Sequence, residues 1–158
     1  MKKYELTEET KVIDGKTLFR IRALRSFGDI KAGDLGGFIE NERNLSHGGN
    51  AWVGDNAQVG GNAEVYGDAW VGGYARVNGD GLINSNNDYL CEKGLGSHNR
   101  SASFFKCKDG HIHVLCGCFS GNLDEFENKV KEEHGNSKYA KEYLGFIEVV
   151  KTHFEVRQ

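Results

Sequence analysis

From Gly49 to Asn78 the chain repeats every six residues without interruption, reading GNAWVG, DNAQVG, GNAEVY, GDAWVG, GYARVN. Alanine stands at 51, 57, 63, 69 and 75, and valine at 53, 59, 65, 71 and 77. A fixed short period constrains the fold more than any other pattern, because each repeat must occupy an equivalent place in the structure.

Alanine and valine lie two residues apart, so an extended chain points both to the same side. The residue between them points outward, and it is Trp52, Gln58, Glu64, Trp70 or Arg76. The remaining positions hold Gly, Asn and Asp, with tyrosine at 66 and 74. They mark corners that need tight or left-handed backbone. A short strand and a corner every six residues cannot make a flat sheet. Three sides close a triangular coil of about eighteen residues, with coils stacked at roughly 4.8 Å. Valine then fills the axis and alanine the crowded corner. Upstream, Ile39 and Leu45 fall in the alanine register and His47 in a valine position; downstream, Gly81 and Ile83 keep the register for one more step. About two and a half coils result, whose open strand edges above and below need covers.

This pattern resembles the hexapeptide-repeat family, whose motif is aliphatic, glycine, two variable residues, small residue, variable residue. The resemblance spans residues 39–83 and implies a left-handed parallel β-helix. The expected fold is mainly β. Residues 1–38 form a β-hairpin and coil cap, 39–83 the β-helix, 84–99 a linker and 100–158 a small α+β domain.

The flanks are read from turn and cap signals. Asp14-Gly15, between Thr10–Ile13 and Lys16–Leu24, predicts a hairpin. Phe19, Ile21 and Ala23 share one face of its second strand, and Arg20 and Arg22 the other, with Arg25 following. These arginines are either a solvated strand face or a basic strip for a partner. Asp109-Gly110 predicts a second hairpin. A two-residue turn there sets Phe105 opposite Val114 and Cys107 opposite Ile112. Asn122 with Glu125 makes a capping box, opening a helix with Leu123, Phe126 and Val130 on its apolar stripe and Gly135 as its stop. Ser137 caps a second helical stretch to about Phe154, with Tyr143, Ile147, Val150 and Phe154 on one face. Phe146–Val150 also reads as a strand, and Gly145 weakens a continuous helix.

Composition excludes several classes. No apolar run approaches the roughly 20 residues of a membrane span. The start MKKYELTEETK predicts no secretory signal, and four cysteines without one suggest reduced thiols and a cytoplasmic location. The coil carries two arginines against six acids, a poor platform for nucleic acid. No cofactor is expected.

Residue types suggest three chemistries. Cys107, His111, His113, Cys116 and Cys118 lie within twelve residues, and zinc favours such ligands. The two-residue turn separates the cysteines from the histidines onto opposite faces, however, so no metal is expected. Cys91 has no nearby group in sequence to activate its thiol. Characterised transferases of the resembled family imply a trimer, a histidine between coils and a coenzyme A groove. The only histidine here is His47, at the first rung, and the coil is too short for such a groove. No catalytic residue is assigned.

The outward residues point instead to binding. Trp52 and Trp70 are one coil apart and are expected side by side and exposed, with Tyr66 and Tyr74 at the corners and Arg76 one coil above Gln58. Aromatic and arginine residues are enriched at interface hot spots. Alternatively, the flanking segments fold back over this face. Residues 29–40 (DIKAGDLGGFIE) resemble the coil entry of small bacterial and phage hexapeptide proteins described as polymer-forming. Residues 104–126 with Tyr139–Tyr143 resemble the tail of similar phage and prophage proteins. That resemblance implies a non-enzymatic binding protein of phage origin, acting on a host defence component in the host cytoplasm, such as an anti-CRISPR inhibitor. A self-assembling homo-oligomeric module, or a sponge for a small nucleotide signal, are the alternatives.

Overall fold

The computed structural model describes residues 2–96 and 100–156. The part of the expected linker at residues 97–99 lies outside the described residues. The fold is mainly β, with two helices at the C-terminal end.

Strands β1 (Tyr4–Ile13) and β2 (Lys16–Ala23) form the first hairpin. Asp14 and Gly15 both adopt positive φ, 50° and 78°, the two-residue turn whose twist suits a hairpin. The expected faces need adjusting. Leu18 is buried and Phe19 only half-buried, because β1 shifts register between Leu6 and Thr10 and β2 does so between Arg20 and Arg22.

Strand β3 (Leu35–Ile39) joins hairpin to coil. It pairs antiparallel with β2 on one edge and parallel with β5 (Gln58–Val59) on the other. The strands β4 (Trp52–Val53), β6 (Glu64–Val65), β7 (Trp70–Val71), β8 (Arg76–Val77) and β9 (Leu82–Ile83) complete three faces. The faces run β3-β5-β8, β4-β7 and β6-β9. Pairing at eighteen residues is direct: Trp52 with Trp70, Gln58 with Arg76, Glu64 with Leu82. The repeat alanines and valines are 0–1% exposed. Corners recur every six residues as positive φ at 49, 55, 61, 67, 73 and 79, all glycine except Asp55.

The first winding departs from the repeat. Ile39 pairs with Val59 and Leu45 with Val65, twenty residues on rather than eighteen. Two extra residues enter between Leu45 and Trp52. Ile39 and Leu45 therefore take valine positions, not alanine ones, and both are 0% exposed. His47 is displaced from the axis. It stacks on Tyr4 at 4.2 Å, Nδ1 accepts from Lys3 N at 3.1 Å, and Nε2 sits 2.9 Å from Glu42 Oε1. Buried Asn44 stitches this winding to the next. It accepts from Glu40 N and Asn41 N and donates to Gly61 O and Ala63 O.

Where a linker was expected, β10 (Tyr89–Leu95) forms. Tyr89, Leu90 and Cys91 are strand formers whose backbone pairs with β11 (Arg100–Lys106). Strands β12 (Ile112–Cys116) and β13 (Phe119–Asn122) complete an antiparallel sheet β10-β11-β12-β13. Helix α1 (Leu123–His134) opens with the expected capping box: Asn122 Oδ1 accepts from Glu125 N at 2.8 Å, and Glu125 Oε1 from Asn122 N at 3.0 Å. Helix α2 (Lys138–His153) runs through Gly145. One sheet face, with Ala102, Phe104, Val114 and Cys116, packs on the helices. The other, with Phe105, Cys107 and Leu115, merges with the coil core. This sheet and the Asn86–Tyr89 segment cover the last rung. Ser103 Oγ accepts from Arg76 N, Asn86 Oδ1 from Trp70 N, and Tyr89 Oη donates to Trp70 O.

The second hairpin corrects the expected register. Phe104 faces Val114, Phe105 faces His113 and Lys106 faces Ile112. The loop has three residues, Lys108 to Gly110. Gly110 N donates to Cys107 O, Cys107 N donates to His111 O, and only Gly110 has positive φ, at 90°. That is a turn followed by a left-handed glycine bulge. One extra loop residue slips the register by one and moves a strand's side chains to the other face.

Candidate functional site

The two tryptophans are neighbours, as the eighteen-residue spacing requires, but they do not form an exposed pair. Trp52 is 2% exposed. Phe27 packs edge-on against its ring at 5.4 Å, and Gly36 lies so close that an added Cβ would be 2.7 Å from Trp52 Cζ2. The segment entering the coil folds over it. Trp70, one rung further, lies beyond this cover and is 46% exposed; Tyr74, past the next corner, is 54% exposed. Lys93 Nζ stands 4.1 Å from the Tyr74 ring centre, a cation–π contact. Tyr66 is only half-exposed.

The backbone beneath this aromatic edge is held firmly. Trp70 N and O are bonded by Asn86 and Tyr89, and Asp55 Oδ2 accepts from Gly73 N at 2.8 Å. An added Cβ at Gly54 would strike the Trp70 indole nitrogen, so the nitrogen edge of the ring rests on the winding below. Large rings on a rigid surface lose little freedom on contact.

The arginines are each held by groups of the chain itself, and Arg20 also reaches Asn56 Oδ1 at 3.3 Å, one winding below Tyr74. Arg20 lies 2.7 Å from Glu9, donates to Gly36 O and stacks 4.3 Å over Phe38. Arg22 pairs with Glu5. Arg25 donates to His47 O at 3.3 Å. Arg76 turns to the C-terminal sheet and donates to Gly117 O at 3.2 Å. These four arginines fix the chain to itself, and on the strand face that read either as solvated or as a basic strip, Arg20 pairs with Glu9 and Arg22 with Glu5.

The register slip brings Cys107 onto the side of the histidines. Ligand atoms of Cys107, His111 and His113 lie within 4.8 Å of one another. The separation of cysteine from histidine that a two-residue turn would impose is therefore absent for Cys107. Burial, with Asp109 and Asp80 nearby, pushes the Cys107 thiol up to about 11. Burial, and then His111, holds His113 below its ordinary value, so its ring is neutral near pH 7. Cys116 belongs to the helix-side core, 3.9 Å from Tyr143 Oη, and Cys118 is exposed. Cys91 is half-buried beside Ser103, and burial raises its thiol pKa. A cleft of about 630 Å³ opens between β13 and α1, lined by Arg100, Cys118, Phe119, Lys129 and His134 among others.

Among the described residues, no helix is long and apolar enough to cross a membrane. The chain matches no protein-family profile and no curated protein sequence.

Proposed function

We propose that this chain is a non-enzymatic binding protein whose contact surface is the edge carrying Trp70 and Tyr74. The coil beneath is read as a left-handed parallel β-helix of the hexapeptide-repeat kind. Pairing at eighteen residues, the buried valine rows and the six-residue recurrence of left-handed corners support that reading. One observation carries the functional reading. Two large aromatic side chains stay about half-exposed at the surface of an otherwise tightly closed coil, and exposed aromatic residues on a rigid surface concentrate binding energy.

The resemblance to phage and prophage proteins directs the choice of partner to a host component, with a defence effector such as a CRISPR complex as the leading case. A nucleotide sponge fits less well, because Arg20, Arg22, Arg25 and Arg76 are each held by carboxylate or carbonyl partners within the chain. End-to-end assembly of coils fits less well too, since Ser103, Asn86 and Tyr89 occupy the last rung.

The test is binding of the purified chain to purified defence effector complexes, with its own mass measured by light scattering. Saturable binding by a monomer supports the reading. Concentration-dependent self-association lost in Trp70→Ala assigns the edge to a second copy instead. Absence of both behaviours would remove the aromatic edge as a binding surface.

A further inference from the structure

We propose that Cys107, His111 and His113 form a zinc site at the junction of the coil and the C-terminal sheet. His111 Nε2 and His113 Nδ1 face each other at 3.3 Å. Two imidazole nitrogens at zinc bond lengths on a tetrahedral centre are separated by about 3.3 Å. The third corner is Cys107 Sγ: one ligand atom from each of Cys107, His111 and His113 lies within 4.8 Å of the other two. A shift of about an ångström brings it to the roughly 3.6 Å expected between sulfur and nitrogen on the same ion.

The outer nitrogens of both rings are also anchored. Asp109 Oδ1 holds His111 Nδ1, and Ser120 Oγ lies 2.8 Å from His113 Nε2. A second partner that fixes ring orientation and leaves the other nitrogen free is the usual support of a metal-bound histidine. Without an ion the same atoms form a continuous chain of hydrogen-bond contacts running from Ser120 through His113 and His111 to Asp109. Cys107 has no part in that chain of contacts, yet it sits at the corner that a metal needs.

The donor set selects the ion. One thiolate with two imidazoles suits zinc better than the hard cations, which prefer oxygen. Binding releases the thiol proton to solvent, and the cation supplies the charge that stabilises the buried thiolate. Three protein ligands leave a fourth position, and the half-exposed histidines open it to water. Cys107 also bridges Gly81 of the last coil corner, and Lys108 N donates to Asp80 O at 3.0 Å. An ion here would therefore clamp the hairpin turn onto the end of the coil.

The full chain, purified without chelator and then titrated with cobalt(II), provides the test. The expected result is one cobalt per chain with an intense thiolate-to-cobalt absorption band. Zinc should displace it. Cys107→Ser should abolish the band and Cys118→Ser leave it intact. If Cys107→Ser fails to fold, His113→Gln serves in its place, with at least a tenfold weaker cobalt affinity expected. A chain that gives no thiolate band with stoichiometric cobalt overturns the site. A band that survives Cys107→Ser, or that disappears in Cys118→Ser, also overturns it and marks adventitious binding.

Discussion

Trp52 and Trp70 are direct partners on adjacent parallel strands, yet one is covered by Phe27 and the other faces solvent. The difference comes from the chain on either side of them. The segment before the coil packs over the lower rung, and nothing described covers the upper ring to the same degree.

Fluorescence of single-tryptophan variants reads this arrangement directly. Trp70→Phe leaves the buried indole, so its emission should shift to the blue and resist acrylamide. Trp52→Phe leaves the exposed one, with red-shifted emission and efficient quenching. Equal quenching in the two variants would contradict the cover over Trp52. In stability, Trp52→Ala should cost about 3–5 kcal/mol, against about 1 kcal/mol or less for Trp70→Ala.

Two glycine substitutions should have opposite signs. A Cβ at Gly36 would come 2.5 Å from Val53 O and 2.7 Å from both Ile21 Cγ1 and Trp52 Cζ2. Gly36→Ala should destabilise by about 1–3 kcal/mol through overpacking. Gly145 lies inside α2 with open space around it, so Gly145→Ala should stabilise by up to about 1 kcal/mol. Denaturant midpoints with unchanged slopes would check both.

Lys3 gives a pH signature. Its side chain is fully buried, donates to Gly48 O and Ala51 O, and stands 4.9 Å over Phe27. Burial, then Arg25, lowers its pKa from 10.5 to about 8 in the fold. The folded state thus binds this proton less tightly than the unfolded chain. Its contribution is lowest below pH 8 and rises with pH, by at most about 1.4 kcal/mol per unit, until the unfolded value is passed. Cys107, Cys91 and Cys116 oppose it as pH nears and passes 9, because raised thiol pKa values make the fold lose stability as pH rises. The difference between wild type and Lys3→Met removes this shared background. That difference should grow in favour of the wild type from pH 8 to 9, measured by chemical unfolding of both at each pH.

The repeat made the windings and the eighteen-residue pairing legible, because every hexad from Gly49 carries the same small and branched residues. The caps of both helices were legible in Asn122, Glu125 and Ser137 for a similar reason: a local hydrogen bond fixes them. What escaped was set by context. Asp14-Gly15 and Asp109-Gly110 are the same dipeptide, yet the first makes a two-residue turn and the second belongs to a three-residue loop. Flanking pairing, not the dipeptide, chooses between them, and that choice decides whether Cys107 shares a side with His113. The two residues inserted after Leu45 likewise moved His47 off the axis while leaving its neighbours' polarity unchanged. The burial of Trp52 depends on Phe27, which lies 25 positions away. The strand at Tyr89–Leu95 was hidden among Asn, Ser and Gly neighbours.

The most direct measurement of the proposed function is the plating efficiency of a targeted phage on cells with an active CRISPR system. The chain is expressed either as wild type or with Trp70→Ala and Tyr74→Ala together. Wild type should restore plating. The doubly substituted chain, present at the same level and with a melting temperature within a few degrees, should not. Full restoration by the substituted chain would contradict the aromatic edge as the contact surface, and no restoration by the wild type would contradict this defence system as its target.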